Sequence, residues 1–296
     1  MVGEAEVTAT LTIKPPYRVP SMAEIDAVPW NGYKVASTFS GAGGSCLGSR
    51  MAGFRVVWAS EFVPAAQASY RANAPETHLD TRDIRKVRPE DILAATGLHQ
   101  GELDLLDGSP PCQAFSTAGK LEKGWGKGKR YEHGATQCNE TLFDEYIRIV
   151  RGLQPKVFVA ENVSGLVKGT AKGFFKQILR DLKGCGYAVE ARLLDAQWLG
   201  VPQMRQRIIF VGVRSDLKLT PYFPRPLPYR YSVREALPHI GSVVHDSGGQ
   251  EGVKVYDLQR EPLRAVRAGG GGNQMRQRVT EVEGAHRYNR HPGSSL

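Results

Sequence analysis

Between residues 33 and 214, short apolar runs of strand character alternate with stretches of helical periodicity, and that alternation restricts the fold more than any other feature. The strand-like segments are YKVASTF (33–39), FRVVWAS (54–60), LDLLDG (103–108), KVFVA (156–160), AVEARLLDA (188–196) and IIFVGVR (208–214). Residues 64–73 have helical character, and LFDEYIRIVRGL (142–153) places Leu142, Tyr146, Ile149 and Val150 on one helical face. FFKQILRDLKGCG (174–186) reads as a helix that runs out into glycines. Apolar strands need cover on both faces, and helices with one apolar face supply it. The pattern therefore predicts an α/β fold with a doubly wound, mostly parallel sheet. Such sheets bind ligands beyond the carboxyl ends of their strands, which here means after Phe39, Ser60, Asp107 and Ala160.

On either side of this region the pattern fades. Residues 1–32 read as an N-terminal extension, 33–214 as the main domain, and 215–296 as a small second region, proline-rich at first and then rich in glycine and arginine. No apolar run approaches the roughly 18–20 residues that cross a bilayer. The N-terminus has no basic stretch followed by an apolar core, so a cytoplasmic protein without membrane contact is expected. The net charge of +9 suits a polyanionic partner. Lys120, Lys123, Lys127, Lys129 and Arg130 share one glycine-rich stretch, and Arg264, Arg267, Arg276 and Arg278 another. The cysteines Cys46, Cys112, Cys138 and Cys185 form no C-x-x-C pair and no zinc-type spacing, so no metal site is expected. Each is either a small core residue or a nucleophile.

The distinctive residues fall at the predicted strand ends. FSGAGGSCLG (39–48) is a glycine turn followed by a helix, which lets backbone approach a ligand and offers a helix N-terminus. Glu61, at the end of the next strand, is placed to accept hydrogen bonds from both hydroxyls of a ribose. Asp83 and Ile84 follow at a third strand end, suited to the edge and face of an adenine. Together these suggest an adenosine-containing ligand. In GSPPCQAFS (108–116) two prolines fix the backbone immediately before Cys112. A buried structural cysteine has no need of a rigid polar turn, whereas a thiolate nucleophile must be exposed and held in one orientation.

Six short motifs stand in order: F-x-G-x-G-G (39–44), Glu61, Asp83-Ile84, P-P-C-Q-x-F-S (110–116), Glu161-Asn162-Val163 and Q-x-R-x-R (203–207). In this the sequence resembles the DNA cytosine-C5 methyltransferases of bacteria and phages, over residues 33–214. The resemblance implies a Rossmann-like methyltransferase domain that uses S-adenosyl-L-methionine and acts on double-stranded DNA. It gives Cys112 the role of nucleophile at cytosine C6 and sets Glu161 against N3 and the exocyclic amine. Arg207 is implied at the base oxygen and active-site loop, and Arg205 at a phosphate or the loop. Asn162 is expected to support the cysteine loop. Cofactor binding is implied for Phe39, Gly41, Gly43, Gly44, Glu61, Asp83, Ile84, Pro111 and Leu142, with Phe62 stacking near the adenine. Because a duplex hides cytosine C5, the base must be flipped into the pocket. The stretch 113–135, with its basic residues and Trp125, resembles the segment that closes over the flipped base.

The resemblance weakens toward the C-terminus. AVRAGGGGN (265–273) resembles the glycine-rich region that precedes the family's last conserved blocks, and a G-N-x-V type segment is not found after it. Residues 215–296 are therefore expected to form a short or partial target-recognition region; a second polypeptide completing the fold or a truncated or frame-shifted chain is expected, with a compact variant as the third alternative. Two alternatives to an active DNA methyltransferase stay open at this point: a catalytically degenerate DNA- or cofactor-binding relative, and an enzyme of the same chemistry acting on RNA cytosine.

Overall fold

The computed structural model describes residues 14–111, 142–167 and 171–238, and beyond these the backbone pairing of a few short strands. In chain order the main elements are α1 (Met22–Asp26), β1 (Lys34–Thr38), α2 (Gly44–Met51), β2 (Arg55–Ser60), α3 (Pro64–Asn73), β3 (His78–Asp80), α4 (Pro89–Thr96) and β4 (Leu105–Gly108). They continue with α5 (Leu142–Leu153), β5 (Val157–Val163), α6 (Lys172–Lys183), β6 (Tyr187–Asp195) and β7 (Gln206–Arg214). The seven strands form one sheet in the order β3-β2-β1-β4-β5-β7-β6. β1 pairs in parallel with β2 and β4, β2 with β3, and β4 with β5. β7 runs antiparallel to β5, with Ile209 opposite Glu161 and Arg207 opposite Val163.

Chain order reverses between β1 and β4, so the carboxyl ends of these two strands flank the switch point where doubly wound sheets bind ligands. Burial follows position: β1 is covered on both faces from Val35 to Thr38. α5 covers the neighbouring strands with Leu142, Phe143, Tyr146, Ile147, Ile149, Val150 and Leu153, all buried. Burial of such side chains stabilises by roughly 1.5–3 kcal/mol each. Tyr146 also donates its hydroxyl to the carbonyls of Val159 (3.0 Å) and Leu106 (3.3 Å), which ties the helix to β5 and β4. β5 extends three residues past the expected end at Ala160, because Glu161, Asn162 and Val163 find partners on β7. The site residues Glu161 and Asn162 are thus strand residues rather than loop residues.

The chain divides into two compact units, one of residues 20–194 and 206–223, the other of the described parts of 1–19, 195–205 and 224–296. The first contains the sheet as far as Leu194. In the second, a short helix, α7 (Val233–Ala236), is capped reciprocally by Ser232 and Glu235. Lys14 pairs with Glu235, Tyr17 meets the Tyr231 ring edge-on at 4.9 Å, and the Tyr231 hydroxyl donates to Pro15 O at 2.9 Å. The described start of the N-terminal extension is therefore fastened to residues far along the chain. The same unit contains a three-stranded antiparallel sheet in the order 254–256, 243–246, 274–277, and a parallel pair of 263–264 with 203–204.

Candidate active site

A cleft of about 180 Å³ opens at the carboxyl ends of the strands, lined by Phe39, Ser60, Glu61, Phe62, Val63, Arg82, Ile84, Ser109 and Pro111. Its floor is the glycine turn after β1. Phe39 takes a left-handed φ of 54°, a conformation that costs a non-glycine residue about 1–3 kcal/mol and persists only where its surroundings enforce it. The enforcing contacts are backbone ones: Ser40 N–H donates to Ser60 O and Gly43 N–H to Ser40 O, both at 3.0 Å. Gly43 has φ of 95°, and a Cβ there would press on the Tyr70 ring at 3.2 Å. It caps α2 without a side-chain hydrogen bond, so the first-turn amides keep capacity for a ligand.

Glu61 faces this turn from β2. Its carboxylate accepts the N–H of Gly41 (2.8 Å) and of Val63 (2.7 Å). Arg82 enters the cleft from beyond β3 and is fixed by a bidentate contact with buried Asp80 and by a second ion pair with Asp91 at 3.1 Å. Burial pushes the Asp80 carboxyl up, but the Arg82 guanidinium and N–H outweigh it and hold the pKa below the usual value. The Asp83 carboxylate is engaged by Arg85, which reaches it through Nε and Nη2 at 3.0 and 2.5 Å and also donates its backbone N–H.

On the other side of the cleft, β4 ends at Gly108, where a Cβ would collide with Thr38 and Tyr146; only glycine lets β4, β1 and α5 approach so closely. Ser109 and Pro110 follow. The Asn162 side chain donates to Pro110 O at 3.1 Å from a fully enclosed position, and its own oxygen accepts Val163 N–H at 2.8 Å. One residue before Asn162, Glu161 pairs with Arg207 Nε at 2.6 Å across the β5–β7 ladder. Both side chains are partly exposed, Glu161 at 29% and Arg207 at 24%.

Of the residues expected at a cofactor, Phe39, Glu61, Phe62, Ile84 and Pro111 line the cleft, while Gly41, Gly43 and Gly44 form the turn and the start of α2. Asp83 is not among the lining residues, and Leu142 is fully buried in the core at the start of α5. Cys112 lies outside the described residues, immediately after Pro111, as do 113–128 and the side chains of both basic clusters. Arg205 belongs to the second compact unit, where its N–H donates to Asp195 at 3.2 Å. Sequence reasoning missed Ser60, Val63, Arg82 and Ser109 as cleft residues, although each sits within two positions of one it found. It also missed Asp107, an acid inside an apolar strand. Among the described residues no group of His, Cys, Asp or Glu could hold a metal ion, and no helix is long and apolar enough to cross a membrane.

The strand order with β7 antiparallel to β5, and a cleft of glycine turn, strand-end acid and apolar walls, define a Rossmann-like methyltransferase fold. The family model described as C-5 cytosine-specific DNA methylase matches residues 33–283, and the chain belongs to that family. It is 38% identical over 196 residues to the type II methyltransferase M.NgoPII of Neisseria gonorrhoeae, covering 66% of this chain and 52% of that protein. It is 37% identical over 201 residues to the type II methyltransferase M.AquIA of Picosynechococcus sp., covering 65% of this chain and 76% of that one. A solved structure of a prophage-encoded E. coli protein, described as a DNA modification methyltransferase, matches with a TM-score of 0.56 and 25% identity, over 75% of this chain and 59% of that one. The chain thus spans about half the length of the first of these relatives.

Proposed function

We propose that the chain transfers the methyl group of S-adenosylmethionine to C5 of cytosine in double-stranded DNA, through a covalent bond between Cys112 and C6 of a flipped base. The observation that carries this reading is the junction at Pro111. This residue lines the cleft, precedes Cys112, and follows a carbonyl that Asn162 holds on the strand that also bears Glu161. A nucleophile and a carboxyl so connected to one cleft fit attack on an activated ring better than they fit cofactor storage.

The residues present fit an adenosine-type cofactor. Glu61 offers a carboxylate edge, Phe39 and Ile84 offer apolar faces, and the uncapped start of α2 offers amides to a polar tail. S-adenosylmethionine supplies an electrophilic methyl group on a sulfonium. Gly41, Gly43 and Gly44 bind by shape, and Arg82 borders the pocket as a fixed cation.

Cytosine C5 is too weak a nucleophile to take a methyl group unaided. The Cys112 thiolate adds to C6, and the electron pair of the C5–C6 bond becomes available at C5 while charge develops toward N3. Glu161, carrying a proton when the base binds, donates it to N3 as that charge develops and accepts from the exocyclic amine, which is stabilisation placed where the reacting ring needs it. After C5 has gained its methyl group, loss of the C5 proton to a base expels Cys112 and restores the ring. Arg207, ion-paired to Glu161, orients that carboxyl and is assigned to the base oxygen. Arg205 and residues 215–296 are assigned to the DNA backbone and to target recognition.

Transfer of labelled methyl to unmethylated mixed-sequence duplex DNA tests this. Incorporation by the purified chain that vanishes in Cys112→Ser supports it. Incorporation that survives in Cys112→Ser would falsify the covalent route. With no incorporation at all, the degenerate reading gains, or the reading with a second polypeptide, which addition of that polypeptide would separate.

A further inference from the structure

The acid that sequence reasoning passed over connects the two halves of the site. Asp107, the third residue of β4, accepts hydrogen bonds on one carboxylate oxygen from Ser37 Oγ of β1 (3.0 Å) and Ser45 Oγ of α2 (2.6 Å). Ser37 in turn accepts from Ser40 Oγ at 3.1 Å, and Ser40 lies in the glycine turn itself. The backbone repeats the connection: Thr38 Oγ1 donates to Asp107 O, and Ser109 N–H donates to Thr38 O. From Asp107 the chain needs only two residues to reach Ser109, which lines the cleft, and three to reach Pro110, which Asn162 holds.

A carboxylate in this place is a poor choice for stability alone. Burial pushes its pKa up, and the two serine hydroxyls offset that only in part. An apolar side chain would fill a parallel strand at no such cost. Its geometry is better suited to positioning. Glu61 grips the glycine turn from the β2 side through Gly41 N–H, and Asp107 grips the turn and the first turn of α2 from the β4 side. A turn held on one side only can tilt about that hold; a turn held on both sides cannot.

We infer that Asp107 is a positioning residue that fixes the glycine turn and the start of α2 in their cofactor-binding form and couples them to the segment leading into Cys112. The inference rests on the cofactor reading proposed above. When the cofactor packs on the turn, the restraint it adds reaches Asp107 through Ser45 and Ser37, and reaches Ser109 and Pro110 through Asp107. Substitution should therefore weaken cofactor binding without contact with the cofactor, and should also uncouple that binding from protection of the segment from Gly108 to Pro111.

The test is calorimetric titration of the full chain with S-adenosylhomocysteine, the demethylated cofactor, which needs no turnover. Deuterium uptake in peptides covering residues 39–50 and 103–111 is measured alongside. Asp107→Asn keeps the size of the side chain and loses the charge, and is expected to weaken binding by about tenfold, the scale of a lost charge-assisted hydrogen bond. Ser45→Ala, which removes one exposed hydroxyl, is expected to weaken it by about threefold. Ser49→Ala, on the same helix with its hydroxyl on Ser45 O, serves as the control and should leave affinity unchanged.

In the wild type the ligand should slow exchange in both peptides. In Asp107→Asn at saturating ligand it should slow only the first. Affinity within twofold of wild type in Asp107→Asn and Ser45→Ala, or equal protection of both peptides, would overturn the inference. If Asp107→Asn fails to fold, Ser45→Ala alone decides on the same criterion. A wild-type chain that binds no S-adenosylhomocysteine defeats the cofactor reading and this inference with it, whereas variants that bind as well as wild type defeat the inference only.

Discussion

The two acids of the site are held in opposite ways. Glu61 gives its carboxylate oxygens to main-chain N–H groups, those of Gly41 and Val63, in segments fixed by the pairing of β1, β2 and β3. Glu161 is held by the Arg207 side chain, at 2.6 Å and partly open to solvent. Backbone donors next to paired strands move less freely than a long side chain, so Glu61 is the more firmly held of the two. A partly exposed ion pair contributes on the order of 1 kcal/mol, so the Glu161–Arg207 pair opens at small cost when a base arrives. Under the proposed function, the side assigned to the cofactor would work by preset shape and the side assigned to the base by exchange of one partner for another.

This contrast can be broken from either end. Replacing Glu161 by Gln should lower turnover on the order of 100-fold or more, the scale of a lost transition-state contact, while S-adenosylhomocysteine affinity stays as it was. Equal losses in both would mean that the two sides are not separate. Replacing Glu61 by Ala should do the reverse: an affinity loss of about tenfold or more, with turnover at saturating cofactor within a few fold. Calorimetry with single-turnover kinetics reads both effects.

A smaller effect lies at the junction between the sides. Asn162→Ala leaves the enclosed Pro110 carbonyl without its donor and should cost about 1–3 kcal/mol, seen as a lower urea midpoint with an unchanged slope. An unchanged midpoint would mean that Asn162 does not hold this segment. The smallest effect is a pH slope. Burial raises the pKa of Asp107 in the folded chain, so between the ordinary carboxylate range and that raised value the folded form holds a proton the unfolded form has lost. Its contribution to stability is complete in acid and declines as pH rises through the folded value. Cys46 on α2 and Tyr146 on α5, which interact with Asp107, are themselves pushed upward by burial and stay neutral in that window. The difference in stability between wild type and Asp107→Asn should therefore change with pH across the window. A constant difference would place the slope elsewhere.

Local periodicity made the elements of this fold legible. Residues 64–73 and 142–153 are α3 and α5 to the residue, because one apolar face and clear breakers set their limits. The longer parallel strands announced themselves as apolar runs and the glycine turn as a turn, whereas β3, only HLD, is too short to show a pattern and was not read as a strand. Strand direction was hidden, since nothing within IIFVGVR says that β7 runs against β5; that choice is made by partners remote in sequence. Two side chains that organise the site were also concealed, Asp107 by the remoteness of its partners and Arg82 because nothing local shows that it faces a cleft. Asp107 looks like a stray acid in LDLLDG until Ser37 and Ser45 are brought to it from other elements. Arg82 reads as a surface charge until Asp80 and Asp91 pin it at the cleft. Motif spacing found Glu61 and Glu161 but could not foresee that one would accept backbone N–H groups and the other pair with the Arg207 side chain.

The account depends most on a bond between Cys112 and cytosine C6, and duplex DNA containing 5-fluorocytosine tests it directly. Fluorine at C5 cannot leave as a proton does, so elimination of the cysteine is blocked once the methyl group has been transferred. With S-adenosylmethionine present, the account predicts a stable protein–DNA adduct whose digestion maps the modified base to Cys112 and which Cys112→Ser does not form. Methyl transfer to ordinary DNA without any adduct on the fluorinated duplex, or an adduct that persists in Cys112→Ser, would contradict it.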